Sequence, residues 1–225
     1  MLRISSEGSL YSAGSLQSDL QAIENFYRDE GFLHAVVGPP DVQFRSIAGR
    51  QTAVIRVPVS EGPAYLTGNL EIKNARAFET QTLFQMLPLN KGQVFSRRKI
   101  FQWQARVEDA YHTMGYIRFR SSLHENVSET AKTVDVTIEF AEGKAYSVGR
   151  ISVVGDDSVS LPELKRRLLI GEGGLFDPDM INTTIYYLNQ TRRYQPISPS
   201  DVEIRIDDAN HTVDLVWHLK ANRIN

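Results

Sequence analysis

Apolar residues recur along this chain with two alternating periods. Over Val134–Phe140 they take every second position, with Val134, Val136, Ile138 and Phe140 set against Asp135, Thr137 and Glu139. Tyr65–Lys73 alternates in the same way. This period marks strands with one buried face. Between them, Ile100, Trp103, Val107, Ala110, Tyr111 and Met114 line one face at about 3.6-residue spacing, which predicts a helix. Ser96 is its N-cap and Gly115 its stop. A shorter helix is predicted over Phe78–Leu87, closed by Pro88 and Gly92, and a further strand over Ile117–Leu123. The order is β-α-α-β-β, an α+β module with a helix pair over one face of a three-stranded sheet. The other face carries Asp, Thr, Glu, Arg and Lys.

The pattern repeats. Glu61-Gly62-Pro63-Ala64-Tyr65-Leu66-Thr67-Gly68-Asn69-Leu70-Glu71-Ile72 returns as Glu142-Gly143-Lys144-Ala145-Tyr146-Ser147-Val148-Gly149-Arg150-Ile151-Ser152-Val153, 81 residues on (61 to 142). In the same register Leu83 falls on Leu164, Leu87 on Leu168, Gly92 on Gly173 and Phe95 on Phe176. Tyr27, Gly31 and Phe32 match Tyr111, Gly115 and Tyr116 at a spacing of 84 (31 to 115). Three tandem repeats follow, over 1–61, 62–143 and 144–222. Tyr11-Ser12 matches Phe95-Ser96 and Gly8 matches Gly92, so the first repeat lacks the counterpart of 65–85, as expected of a piece of a longer chain. The junctions have almost no spacer, which predicts a semi-rigid rod.

Composition narrows the function classes. The 225 residues carry 25 Lys+Arg against 27 Asp+Glu, a near balance that argues against nucleic acid as a partner. There is no cysteine, so disulfides and thiolate chemistry are excluded. No apolar run reaches the roughly 20 residues of a membrane-spanning helix, and Met1-Leu2-Arg3-Ile4-Ser5-Ser6 opens no signal-peptide core.

The sequence carries no pattern that points to catalysis or to metal binding. His34, His112, His124, His211 and His218 have no metal-ligand spacing and are expected as solvated surface residues. Gly171-Glu172-Gly173-Gly174 is expected as a helix–helix turn rather than a phosphate cradle, because no strand precedes it. Asp156-Asp157 and Asp207-Asp208 lack a calcium-loop pattern and are expected as turns. Arg97-Arg98, Arg166-Arg167 and Arg192-Arg193 suit polar helix faces, with anionic headgroups as the alternative. The sequons at Asn126, Asn182, Asn189 and Asn210 need no function, and Trp103 and Tyr111 belong to the core. No catalytic, cofactor or metal site is expected. Function must lie in the array.

The repeat order, the E-G-x-x-Y-x-x-G-x-I junctions, Gly92-Gln93-Val94-Phe95-Ser96, Tyr111-His112-Thr113-Met114-Gly115-Tyr116 and Thr133-Val134-Asp135-Val136-Thr137-Ile138 resemble POTRA domains. Three units in tandem ending in Val213-Asp214-Leu215-Val216-Trp217-His218-Leu219-Lys220 look most like BamA-type outer-membrane barrel assembly factors, although Arg193-Tyr194 departs from the Gly-aromatic pair of the other repeats. The resemblance implies mixed three-stranded sheets and a non-enzymatic periplasmic scaffold. Its implied partners are unfolded outer-membrane proteins and assembly-complex lipoproteins, and it implies a membrane barrel outside this sequence. A two-partner-secretion or related translocation transporter, or a docking module of a division-type protein, are the alternatives. The resemblance also places the third strand centrally and the second at an edge, where unpaired N–H and C=O groups can receive a strand. The first repeat sets Pro39-Pro40 and the third Pro196 and Pro199 at that strand, whereas the middle repeat has no proline from Gly115 to Phe140. The expected peptide-binding edge is therefore Ile117, Arg118, Phe119, Arg120, Ser121, Ser122, Leu123 and His124.

Overall fold

A computed structural model describes residues 12–47, 50–155 and 158–222. Tyr11, Gly8 and Asp156-Asp157 lie outside the described residues. Helix α1 (Ala13–Asp29) opens on Ser12, whose Oγ accepts the Ser15 N–H at 3.5 Å. Strands β1 (Val36–Val37), β2 (Asp41–Ile47), β3 (Arg50–Arg56) and β4 (Val59–Ser60) follow. β2 and β3 form an antiparallel hairpin in register from Asp41↔Arg56 to Ile47↔Arg50, and β1 pairs with β4.

The middle repeat runs β5 (Leu66–Lys73), α2 (Thr80–Met86), α3 (Arg97–Thr113), β6 (Arg120–Ser128) and β7 (Thr133–Ala141). The third runs β8 (Ser147–Gly155), α4 (Leu161–Lys165), α5 (Pro178–Gln190), a 3-10 turn (Pro199–Asp201), β9 (Val202–Asp207) and β10 (Thr212–Leu219). The β-α-α-β-β order expected from the sequence is present in both. The strand orders are β5-β7-β6 and β8-β10-β9, so the last strand of each repeat is central. β10 runs parallel to β8 and antiparallel to β9, which makes that sheet mixed.

Packing groups the chain into two compact units. The first takes in residues through Glu71, Gln85–Trp103 and Leu123–Thr137, and the second Ile72–Phe84, Gln104–Ser122 and Ile138–Asn225. In the second, Val213, Leu215, Trp217 and Leu219 turn one face of β10 into a core shared with Leu164, Ile181, Ile185 and Leu188. Each such side chain contributes about 1.5–3 kcal/mol by leaving water. The alternation read on β7 holds, with Val134, Val136, Ile138 and Phe140 buried. On α3 the expected face is buried at Ile100, Trp103, Val107 and Tyr111. Ser96 Oγ accepts the Lys99 N–H at 3.3 Å, the N-cap that the sequence indicated.

The glycine inside each repeated signature has a structural cause. At Gly149 the β8/β10 register slips, between Val213 and Leu215, and Asp214 Oδ1 accepts the Arg150 N–H at 2.6 Å. Asp135 Oδ1 does the same for the Asn69 N–H at 2.5 Å, beside Gly68. A β-carbon at either glycine would overlap that carboxylate.

Candidate functional site

Two joints between successive repeats are built alike. At the first, Gly31 ends α1 with φ +91° and its carbonyl accepts the Tyr65 N–H at 2.8 Å. The Tyr65 carbonyl then accepts the Phe95 N–H at 2.9 Å. At the second, Gly115 (φ +84°), Tyr146 and Phe176 repeat both bonds at 2.9 Å. A β-carbon on Gly31 would lie 2.6 Å from the Phe95 carbonyl oxygen, and one on Gly115 2.6 Å from that of Tyr146. Each glycine is thus needed twice, for its left-handed backbone and for the close approach. Tyr65 and Tyr146 are buried.

Their hydroxyls meet a carboxylate from the last hairpin of the repeat. Tyr65 donates to Glu129, and Tyr146 donates to Asp208 at 2.5 Å. A side chain three residues after the glycine, histidine in one joint and arginine in the other, closes each set. His34 Nε2 lies 3.1 Å from Glu129 Oε1 and 2.9 Å from the Tyr65 hydroxyl. Arg118 forks Asp208 with Nε at 3.1 Å and Nη2 at 2.9 Å. A second basic residue sits at φ +52° in each hairpin. Lys132 donates to Glu129 at 3.0 Å and stands 5.2 Å from the Tyr65 ring centre, and His211 packs its ring 5.4 Å from that of Tyr146. The hydroxyl of Tyr65, then Lys132, pull Glu129 down to about 2, and His34 adds to this. The hydroxyl of Tyr146, then Arg118, lower Asp208. Burial, then Glu129, push the Tyr65 phenol up.

The segment proposed from sequence, Ile117–His124, divides at these joints. Ile117 and Arg118 form a turn in which the Phe119 N–H donates to the Tyr116 carbonyl at 2.9 Å, and the strand begins only at Arg120. The cause is Phe119, which is fully buried, stacked on Tyr111 at 4.0 Å and edge-on to Phe140 at 5.0 Å. Ile117 packs, partly buried, against the C-terminal core, and Arg118 holds Asp208. These three residues belong to the second joint and not to an open edge.

From Arg120 to His124 exposed and half-buried residues alternate. Arg120, Ser122 and His124 are exposed, and Ser121 and Leu123 are half-buried. β6 then continues past His124 to Ser128, nine residues at the edge of its sheet. Ser121 Oγ accepts from Gln104 at 2.9 Å, and Arg120 lies 3.7 Å from Glu108. Further along, Glu125 accepts Arg97 Nε and Nη2 at 2.7 and 2.6 Å, while Arg97 Nη1 reaches Asp29 at 2.9 Å. Arg98 donates to Glu30 at 2.5 Å. Arg97-Arg98 is therefore a tie to the end of α1 rather than a solvated pair. The proline contrast does not survive either. Pro39 and Pro40 precede β2, Pro196 precedes β9, and Pro199 lies in the 3-10 turn, so all three second strands are free of proline.

Sequence reasoning missed His34, Glu129 and Asp208. The available signal was the shared spacing of Glu129…Lys132 and Asp208…His211. Asp207 does form the expected turn, accepting the N–H groups of Ala209 and Asn210 at 3.0 and 3.1 Å. Glu172, in the glycine-rich turn, accepts the Ile151 N–H at 2.8 Å and Lys165 at 2.7 Å.

Short α+β repeats with a central third strand, joined by a glycine–tyrosine–carboxylate constellation, define a tandem array of related units. The chain belongs to the POTRA family, described as "Surface antigen variable number repeat", whose family model matches residues 1–62, 65–143 and 146–222. It is similar to the outer membrane protein assembly factor BamA of Buchnera aphidicola, 25% identical over 217 residues that are 94% of this chain and 34% of that one. BamA of Neisseria meningitidis is 21% identical over 71% of this chain and 20% of its own length. The chain thus spans about a third or less of these relatives. Among solved structures, BamA POTRA3-5 of Haemophilus influenzae superposes with a TM-score of 0.58, at 21% identity, over 95% of this chain and 83% of that one. BamA of Haemophilus ducreyi lacking POTRA domains 1-3 gives 0.55, at 18% identity, over 70% and 29%.

Proposed function

We propose that this chain is the periplasmic scaffold portion of an outer-membrane protein, organised as repeats 1–61, 62–143 and 144–222. It holds unfolded outer-membrane proteins, and the lipoproteins that assist them, during folding and insertion. The role is one of binding, without catalysis. Its similarity to outer membrane protein assembly factors supports the setting.

The observation that carries the reading is β6. Nine residues stand at a sheet edge, as many as on the edge strand β8 and three more than on β9, the strand that corresponds to β6. An added strand gains its affinity from main-chain hydrogen bonds, which tolerate many sequences, as a receptor for diverse barrel strands requires. Both ends of β6 are fixed, by Phe119 and Arg118 before it and by Glu125 and Glu129 along and after it. A strand held at both ends loses little further freedom when a partner pairs with it.

The test is photocrosslinking to an unfolded outer-membrane β-barrel protein. Probes at Ser122 and His124 on β6 are expected to capture the client well above probes at Glu203 on β9 or Glu71 on β5. Equal capture at all four positions would remove β6 as the receptor.

A further inference from the structure

We propose that Glu172 is a specificity-determining residue for strand addition: together with the glycine-rich turn that carries it, its carboxylate closes the outer edge of β8, so that an extended outer-membrane protein strand does not pair there. This role rests on the reading above, in which clients bind by strand addition.

β8 is as long as β6 and also stands at a sheet edge, so its length alone would make it a second receptor. The turn Gly171-Glu172-Gly173-Gly174 lies along that edge. The Gly173 N–H donates to the Val148 carbonyl at 2.8 Å, and the Val148 N–H donates to the Gly174 carbonyl at 2.8 Å. Beyond Val148 comes the register slip, where Val148 to Ile151 on β8 stands against Val213 to Leu215 on β10. Strand residues direct their main-chain groups to alternate sides, and the one extra residue on β8 shifts that alternation. Ile151 is thereby turned away from β10, as Val148 is. Its N–H is met by Glu172 Oε1 at 2.8 Å. Lys165, the last residue of α4, donates to the same oxygen at 2.7 Å and fixes the carboxylate in place. The Ile151 N–H, then Lys165, hold the Glu172 carboxyl below its ordinary value, so it is ionised at neutral pH. The outward N–H groups at Val148 and Ile151 are thus both taken. An added strand would have to displace a charge-assisted hydrogen bond to reach Ile151.

Photocrosslinking of the full 225-residue chain to an unfolded outer-membrane β-barrel protein reads the closure, with one probe at the half-exposed Val154 on β8 and another at Ser122 on β6. Glu172→Ala is expected to raise capture at Val154 about five- to tenfold over the parent, as the loss of one charge-assisted hydrogen bond implies, and to leave capture at Ser122 unchanged. Glu172→Gln keeps an oxygen that accepts the Ile151 N–H and should stay near the parent. Amide exchange at Ile151 gives a second readout without any client, expected about tenfold faster in Glu172→Ala and near the parent in Glu172→Gln. Far-UV circular dichroism confirms that each variant is folded. Capture at Val154 as strong in the parent as in Glu172→Ala overturns the proposal. So does exchange at Ile151 that Glu172→Ala leaves unaltered. Absence of capture at Ser122 in the parent defeats the client-binding reading instead, and exchange at Ile151 then decides whether Glu172 closes the strand.

Discussion

At the second joint a guanidinium grips Asp208 through two nitrogens, and a fully buried phenylalanine follows immediately after it. At the first, an imidazole shares Glu129 with Lys132, and the residue in the place of Phe119 is Ala35, equally buried. Beneath these differences the backbone is the same. Gly31–Tyr65–Phe95 and Gly115–Tyr146–Phe176 make identical pairs of main-chain bonds, each with a glycine of positive φ. The comparison separates what builds a joint from what tunes it. The glycine and tyrosine set the geometry. The nitrogen donor, the acid and the following apolar residue differ between the two joints.

The sharpest way to erase the difference is Phe119→Ala, which gives the second joint the side chain of the first. Removing a stacked, fully buried ring should cost about 3–5 kcal/mol by urea denaturation, and should loosen the start of β6. Next comes the shared part. Gly115→Ala and Gly31→Ala should each cost about 2–3 kcal/mol, because both left-handed strain and a backbone overlap arise. Gly92→Ala, also at positive φ but with nothing within 4 Å, should cost about 1 kcal/mol and serves as the control. If all three were equal, the close approach at the joints would carry no weight.

Smaller effects test the side chains. Tyr146→Phe and Tyr65→Phe keep the packing and lose the bond to Asp208 or Glu129, so each should lower the urea midpoint by less than the joint glycine variants. Acid provides the last comparison. Glu129 and Asp208 are both depressed, so their support is complete above their ordinary values, 4.5 for Glu129, and is lost as pH falls, toward about 2 for Glu129. Stability should therefore decline through this window, and Glu129→Gln should flatten its part of the slope.

Much of this was legible in the sequence because it is periodic. The alternation on β7 and the buried face of α3 are local patterns, and the repeat spacing exposed the glycine and tyrosine positions before their bonding was known. The residues that hid are those whose role depends on folding. Glu129 and Asp208 lie in hairpins remote in sequence from the tyrosines they serve, and Asp208 stands beside an ordinary turn aspartate. Phe119 satisfied the strand alternation and yet lies in the core ahead of the strand, because the turn after Gly115 delivers it to Tyr111. The arginine pair at 97–98 read as surface because its partners, Asp29, Glu30 and Glu125, come from elsewhere in the chain.

The proposed role of β6 as a receiving edge is tested most directly by amide hydrogen exchange. The chain is compared alone and with a saturating extended peptide taken from an outer-membrane barrel strand. Slowed exchange at alternate amides within Arg120–Ser128, with β9 unchanged, is the predicted result, since an added strand bonds every second residue of the edge. Protection that appears on β9 or along α5 and leaves β6 unaltered would contradict it.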